Sequence, residues 1–127
     1  MLPNMHFARE DCNSALMVRA CDDGRVTIGA QHYQHSLILT PERVIPEWSP
    51  RQVSDLSELH FDSILSLQAE IILLGTGARL CFPSAQLRAY VLASGTGLEV
   101  MDTPAACRTY NILLSENRRV VAALLLP

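Results

Sequence analysis

Two short motifs in the second half of the chain carry residue types that bind polar ligands. Gly75–Gly77 (GTG) and Asp102–Pro104 (DTP) each follow an apolar run. In open α/β sheets, ligands bind at the carboxyl ends of the strands, and a helix N-terminus offers free N–H donors to an anion. Arg79 and Arg108 follow the two motifs closely and could hold a carboxylate or a phosphate. The residues expected to form this crevice are Gly75, Thr76, Gly77, Arg79, Asp102, Thr103 and Arg108.

Each motif also has a purely structural interpretation. The third glycine of a dinucleotide fingerprint is missing, because Leu80 holds that position, so a tight turn at a strand end explains Gly75–Gly77 equally well. Thr103 can cap the following helix, with Pro104 at the first helical position. Asp102 can instead fill the capping role itself and occupy the free donors. The sequence leaves these alternatives open.

Cysteine and histidine spacing adds one candidate residue. Cys107 is predicted in the first turn of the same helix, where the helix dipole can lower a thiol pKa. It is therefore a candidate reactive thiol, although a small buried core residue is the alternative. His32 and His35 would point to opposite faces of a strand, and His6 and His60 add no matching ligand set, so no metal site is predicted.

Apolar runs and helical patterns alternate in the second half of the chain. Strands are predicted at 70–74, 98–101 and 120–125, with one helix over 83–93 and another between Thr103 and Asn117. This β–α–β–α–β order requires parallel strands joined by crossovers, which predicts a layered α/β fold. Cys81, between Leu80 and Phe82, is predicted to lie in the core.

The first half is predicted to add hairpins to this sheet. The expected elements are a hairpin of strands 15–21 and 25–28, short strands at 36–39 and 44–45, and a short helix within 53–68 that starts near Asp62. Trp48 either anchors a loop in the core or forms an interaction hot spot. Residues 1–14 are predicted to be a loosely ordered N-terminal segment of a single domain spanning 1–127.

Composition excludes several classes of function. The chain has 127 residues, 49% hydrophobic and 18% charged, which fits one globular domain. All ten basic residues are arginines, so neither a Schiff-base lysine nor a P-loop lysine exists. The formal net charge of −3 disfavours nucleic-acid binding. The longest apolar run, 120–126, is too short for a membrane span, and the four cysteines lack C-x-x-C spacing, so a cytoplasmic protein with reduced thiols is predicted.

The run LLGTGARL and the run GTGLEVMDTPAACRTYNILLSENRRVVAALL resemble a known family, the Mth-type domain of unknown function. The similarity is specific over 71–125 and looser over 26–48. The matching residues are Gly75, Thr76, Gly77, Gly97, Glu99, Val100, Met101, Asp102, Thr103, Ala106, Thr109, Tyr110 and Asn111. The resemblance implies a three-layer α/β fold on a mixed central sheet of about five strands. It implies no established enzyme activity, no catalytic residues and no cofactor.

Two function hypotheses follow. The family includes a mitochondrial assembly factor of respiratory complex I and the adipogenesis-associated Mth domain protein, besides bacterial members. The resemblance therefore implies a non-catalytic protein-interaction domain that helps to assemble a membrane-associated complex, here in a bacterial, cytoplasmic version without an Arg- and Ser-rich presequence. The alternative is a small-molecule or anion binder, or a modest enzyme, that uses the crevice. A protein partner or a weak homodimer is expected, without nucleic acid and without membrane insertion.

Overall fold

Eight strands and three α-helices make up the regular structure of the residues described by a computed structural model, 16–22 and 24–127. The strands are β1 (Val18–Asp22), β2 (Arg25–Ile28), β3 (Gln31–Tyr33), β4 (Leu37–Leu39), β5 (Val44–Ile45), β6 (Ile71–Gly75), β7 (Gly97–Met101) and β8 (Val120–Leu124). The α-helices are α1 (Glu58–Leu65), α2 (Ala85–Ala93) and α3 (Thr103–Ser115). A single 3-10 turn, Val53–Asp55, precedes α1.

A mixed five-stranded sheet in the order β5-β4-β8-β6-β7 forms the centre of the fold. Strands β6, β7 and β8 are parallel, and helices α2 and α3 provide their crossover connections. Strand β4 pairs antiparallel with both β8 and β5. The predicted α/β class, the mixed central sheet and the β–α–β–α–β order of the second half are confirmed.

Strand β8 is buried on both faces, so its apolar residues serve two cores. Val120, Ala122 and Leu124 belong to the core that contains α3. Val121 and Ala123 belong to the opposite core, which contains α1 and α2. A central strand that is covered on both faces needs an unbroken apolar run, because its successive side chains point alternately into the two cores. Three layers result: α1 with α2, the sheet, and α3 with a second, smaller sheet.

The small sheet consists of β1, β2 and β3 in an antiparallel meander, packed beside α3. An amide side chain fixes β1 to the helix. Asn111 Oδ1 accepts a hydrogen bond from the Val18 N–H at 2.9 Å, and Asn111 Nδ2 donates to the Val18 carbonyl at 2.8 Å. Both backbone groups of Val18 are thereby satisfied, so β1 cannot slide along α3 without losing a pair of hydrogen bonds.

Trp48 lies in the core between the sheet and helix α1. Its side chain is 9% exposed, and its ring meets that of Phe61 edge to face at 6.2 Å. The backbone N–H of Trp48 donates a hydrogen bond to the Ser36 carbonyl at 2.8 Å. This bond attaches the loop that contains Trp48 to the start of β4. The structure therefore favours the first of the two predicted roles, a core anchor.

Several element predictions need correction. Strand β3 was not predicted, because its first two residues are exposed and carry no apolar alternation. Helix α1 begins after Ser57, not near Asp62. In α2 the cap is Ser84, whose hydroxyl accepts from the Leu87 N–H, so Pro83 lies outside the helix. The predicted loosely ordered segment, residues 1–14, lies outside the described residues.

Candidate functional site

The carboxyl ends of β6 and β7 bring the two motifs together. These strands are parallel neighbours, with Gly75 opposite Met101, so the segments that follow them leave the same edge of the sheet. The Thr76 N–H donates to the Met101 carbonyl at 2.9 Å, and the Thr103 N–H donates to the Gly77 carbonyl at 2.8 Å. The predicted juxtaposition of the motifs is therefore present, and it is held by backbone hydrogen bonds.

Thr103 connects three strand ends through one hydroxyl group. Its side chain is buried, its hydroxyl donates to the Leu125 carbonyl at 3.0 Å, and its oxygen accepts from the Gly77 N–H at 2.8 Å. This close contact depends on Gly75, because a Cβ there would lie 3.0 Å from Thr103 Cα and 3.1 Å from a Leu124 methyl. The motif glycine and threonine thus allow α3 to approach the sheet.

The N-terminus of α3 has its donors occupied by the protein. Asp102 is the N-cap, and its carboxylate accepts from the Ala105 N–H at 2.8 Å. The Thr103 N–H is bonded to Gly77, Pro104 has no N–H, and the Ala106 N–H donates to the Asp102 carbonyl. Of the two alternative caps, the structure has Asp102, and the Thr103 hydroxyl instead donates to the Leu125 carbonyl just after β8. An anion at this end would have to displace protein acceptors.

Thr76 shapes the loop that follows β6. Its hydroxyl donates to the Arg79 carbonyl at 2.7 Å, and the same oxygen accepts from the Cys81 N–H at 3.1 Å. The folded loop turns Leu80, Cys81 and Phe82 outward, and we call these three residues the apolar loop. Leu80 is 53% exposed and Phe82 is 58% exposed, so the prediction that Cys81 lies in the core was wrong.

The two arginines of the predicted crevice have different neighbours. Arg79 lines a shallow depression beside the 3-10 turn, together with Gln52 and Ser54. Arg108 is exposed on α3 and lies close enough to Cys21 and Cys107 to affect their thiols. Neither arginine is among the residues that line the small cavity next to the motifs.

A small cavity of about 200 Å³ lies next to the motifs. The hairpin end supplies Cys21 and Asp22, and the motifs supply Gly77 and Thr103. Its remaining walls are mainly apolar: Gly24, Ala78, Pro104, Leu125, Leu126 and Pro127. The lining suits a small apolar group better than a charged one.

Cys107 faces the interior, in contact with Cys21. Its side chain is 3% exposed, and its pKa lies well above the ordinary thiol value because of the neighbouring Cys21 thiol and burial. The helix dipole was predicted to have the opposite effect, but Cys107 lies beyond the first turn of α3. By contrast, the pKa of Cys21 is lowered by the hydrogen bond with Cys107.

His32 and His60 make local polar contacts. His32 Nδ1 lies 2.9 Å from the Thr27 hydroxyl, and His60 Nδ1 accepts from the Ser57 N–H at 3.0 Å. Within 16–22 and 24–127, no group of three or more His, Cys, Asp or Glu side chains is arranged to hold a metal ion. His6 lies outside this part of the chain.

Sequence reasoning missed two features of this edge. Cys21 was not proposed as a site residue, since nothing local indicates that it meets a helix 86 positions later. The exposure of the apolar loop was missed because apolar residues after a buried strand usually continue into the core. The sequence signal that could have indicated this loop was Thr76, since a threonine hydroxyl directly after a strand often forms hydrogen bonds to the backbone of the following turn.

A protein-family model matches residues 18–125. The family that this model represents is described as "Protein of unknown function (DUF498/DUF598)". The match covers all eight strands and all three helices of the described structure. It includes both motifs, Cys21 at the cavity and the buried Cys107.

Proteins of other organisms are similar to this chain in sequence. The chain is 32% identical over 118 residues to the "13 kDa major membrane protein" of Francisella tularensis, covering 91% of this chain and 95% of that one. It is 38% identical over 96 residues to the Danio rerio "NADH dehydrogenase [ubiquinone] 1 alpha subcomplex assembly factor 3", covering 71% of this chain. The chain spans about half of that relative, 55% of its length.

A solved structure shares the fold. The Bordetella pertussis protein described as a Mth938-like domain superimposes with a TM-score of 0.72 at 30% identity, covering 89% of this chain and 87% of that one. The three helices described here are all too short, or too polar, to cross a bilayer.

Proposed function

We propose, from the premise that this chain belongs to the DUF498/DUF598 family of Mth-type domains, that it is a non-catalytic protein-interaction domain. Its proposed role is to assist the assembly or maturation of a membrane-associated complex. The similarity to an assembly factor supports this role, although the matching region covers only 55% of that longer relative. The proposal therefore concerns the shared domain alone.

The observation that carries this proposal is the apolar loop. Leu80 and Phe82 expose more than half of their surface, although the backbone between them and the sheet is fixed by Thr76. A rigid loop that presents large apolar side chains is typical of an interaction surface, because little conformational entropy is lost on binding. The Arg88 Cζ atom lies 5.6 Å from the centroid of the Phe82 ring, so the guanidinium group places a positive charge beside the apolar loop.

A substitution in the apolar loop tests this role. We expect the double variant Leu80→Ser, Phe82→Ser to lose at least about tenfold of its co-purified membrane-protein partner, which corresponds to roughly 1.4 kcal/mol. Its melting temperature should stay close to that of the wild type, because both side chains are exposed. The measurement is affinity purification at native expression in mild detergent, with quantitative mass spectrometry.

Ile112→Ser is the matched control, since Ile112 is 57% exposed but lies on α3 away from the loop. The control should retain the partner. Recovery of no stoichiometric partner, or equal loss in the double variant and the control, would contradict the proposed role. If only untagged copies of this chain return with the tagged protein, a homodimer replaces the assembly partner.

The cytoplasm is the proposed compartment. Cys21, Cys81 and Cys107 are free thiols in the described structure, as expected in a reducing environment. An interaction with a membrane-associated complex would also account for the name of the Francisella tularensis relative.

Small-molecule binding in the cavity is the alternative function, and the cavity beside Gly77 and Thr103 favours it. We expect Ala78→Phe to weaken any such ligand at least about tenfold, because the larger side chain narrows the entrance. Amide shifts of Gly77 and Thr103 during an NMR fragment screen measure this. Ala30→Phe, on an exposed turn outside the cavity, is the control. A screen in which no compound moves either signal contradicts this alternative.

A further inference from the structure

A bulge in β1 turns Cys21 towards α3. The pairing of β1 with β2 shifts between Val18 and Ala20, so that Arg19 is an extra residue in β1. In a regular strand, residues three apart face opposite sides. The extra residue restores the phase, and Val18 and Cys21 both pack against the core that contains α3.

The contact between Cys21 and Cys107 is fixed by a neighbouring clamp. Asn111 lies one helical turn after Cys107 on the same face of α3, and its side chain holds both backbone groups of Val18. Strand and helix are therefore locked in register at one position and bring the two thiols together at the next. We call Cys21 and Cys107 the thiol pair.

The two members of the thiol pair differ in access. Cys21 is half-buried and lines the cavity, whereas Cys107 is 3% exposed and lies behind it. A reagent that enters the cavity therefore reaches the Cys21 sulfur first. Mainly apolar walls and a volume of about 200 Å³ suit the end of a small molecule rather than a whole folded partner.

The electrostatic surroundings also distinguish the two thiols, because they lower the pKa of Cys21 and raise that of Cys107. The Cys107 thiol donates a hydrogen bond that lowers the pKa of Cys21, and the Arg108 guanidinium acts in the same direction. Burial and the carboxylates of Asp22 and Asp102 oppose this shift without reversing it. Within the thiol pair, Cys21 therefore loses its proton more readily than Cys107, and thiolates are the nucleophiles of thiol chemistry.

We propose that Cys21 and Cys107 form a dithiol site that reacts with a low-molecular-weight disulfide, with Cys21 as the attacking sulfur and Cys107 as the resolving sulfur. This activity is independent of the proposed interaction through the apolar loop. It assigns a purpose to a buried cysteine that would otherwise be only a small core residue.

The reaction proceeds in two exchange steps. The Cys21 thiolate attacks one sulfur of the disulfide RSSR, forms a Cys21–SR mixed disulfide and releases RS⁻. The Cys107 thiol then loses its proton as its sulfur attacks the Cys21 sulfur, forms the Cys21–Cys107 disulfide and releases the second RS⁻. Protons restore both leaving groups, so the dithiol and RSSR give the protein disulfide and two RSH, with the protein oxidised and RSSR reduced.

The test uses the full chain with Cys12→Ser and Cys81→Ser as a background, so that only the thiol pair remains. The probe is bis(2-hydroxyethyl) disulfide, a small uncharged disulfide that suits the mainly apolar walls of the cavity. We expect the folded protein to lose both free thiols, to retain no mercaptoethanol, and to show a Cys21–Cys107 link in peptide mass spectrometry. Its melting temperature should rise by several degrees, because the link closes a long loop of the unfolded chain.

Single variants separate the two roles. Cys107→Ala should trap a stable mercaptoethanol adduct on Cys21, whereas Cys21→Ala should give no adduct on the buried Cys107. Circular dichroism shows whether each variant is folded, and Cys107→Ser repeats the trap if Cys107→Ala is not. The proposal is overturned if the folded trap variants form no adduct, or if the pair is linked only after denaturation.

Discussion

Replacing Thr103 by valine is expected to lower the free energy of unfolding by about 3 kcal/mol. Valine has nearly the shape of threonine but lacks the hydroxyl, which donates to the Leu125 carbonyl and accepts from the Gly77 N–H. Thr103 is 2% exposed, so water cannot easily replace the lost partners. Urea denaturation, with the slope compared between variants, measures the loss.

Thr103→Ser is the matched control, because it keeps the hydroxyl and removes one methyl group. We expect it to cost about 1 kcal/mol, the value for burying one such group. A larger loss for serine than for valine would mean that methyl packing, and not the hydroxyl, connects the three strand ends.

Gly75→Ala should be the second most damaging change, with a loss of about 2 kcal/mol. The added methyl group would meet backbone on one side, Thr103 Cα at 3.0 Å, and a Leu124 methyl at 3.1 Å on the other. Backbone cannot rotate away as a side chain tip can, so α3 would have to move. Thermal and urea unfolding of the purified variant measure this effect.

Gly97→Ala provides the comparison within the same sheet. Gly97 begins β7 next to the strand that Gly75 ends, and a Cβ there would approach nothing closer than 3.4 Å, the Glu70 carbonyl oxygen. We expect a change within about 0.5 kcal/mol. Equal losses at the two positions would show that a general glycine effect, not the approach of α3, explains the result.

The central sheet could be predicted because its information is local. Strands β6 and β8 are continuous apolar runs, and helix α3 has its turn signals at both ends, Asp102 and Asn117. Asn117 does adopt the left-handed conformation, at φ 60°. Such features depend on neighbours in sequence, so pattern reasoning finds them.

The details of the site could not be predicted because they depend on distant partners. Thr103 and Asp102 are both good capping residues, and the choice between them is made by the Leu125 carbonyl, which takes the threonine hydroxyl. Cys21 faces α3 only because of the bulge at Arg19. No local pattern around these residues contains that information.

The position of β8 has a consequence for how the protein is made. Its hydrogen-bonding partners β4 and β6 both precede it in the chain, so a ribosome releases the two halves of the sheet before the strand that joins them. Until residues 120–124 emerge, the edges of β4 and β6 that pair with β8 have no hydrogen-bonding partner. Pairing between strands so far apart in the chain is slow. The nascent chain should therefore depend on chaperones up to that point and complete its folding only after the central strand has been synthesised.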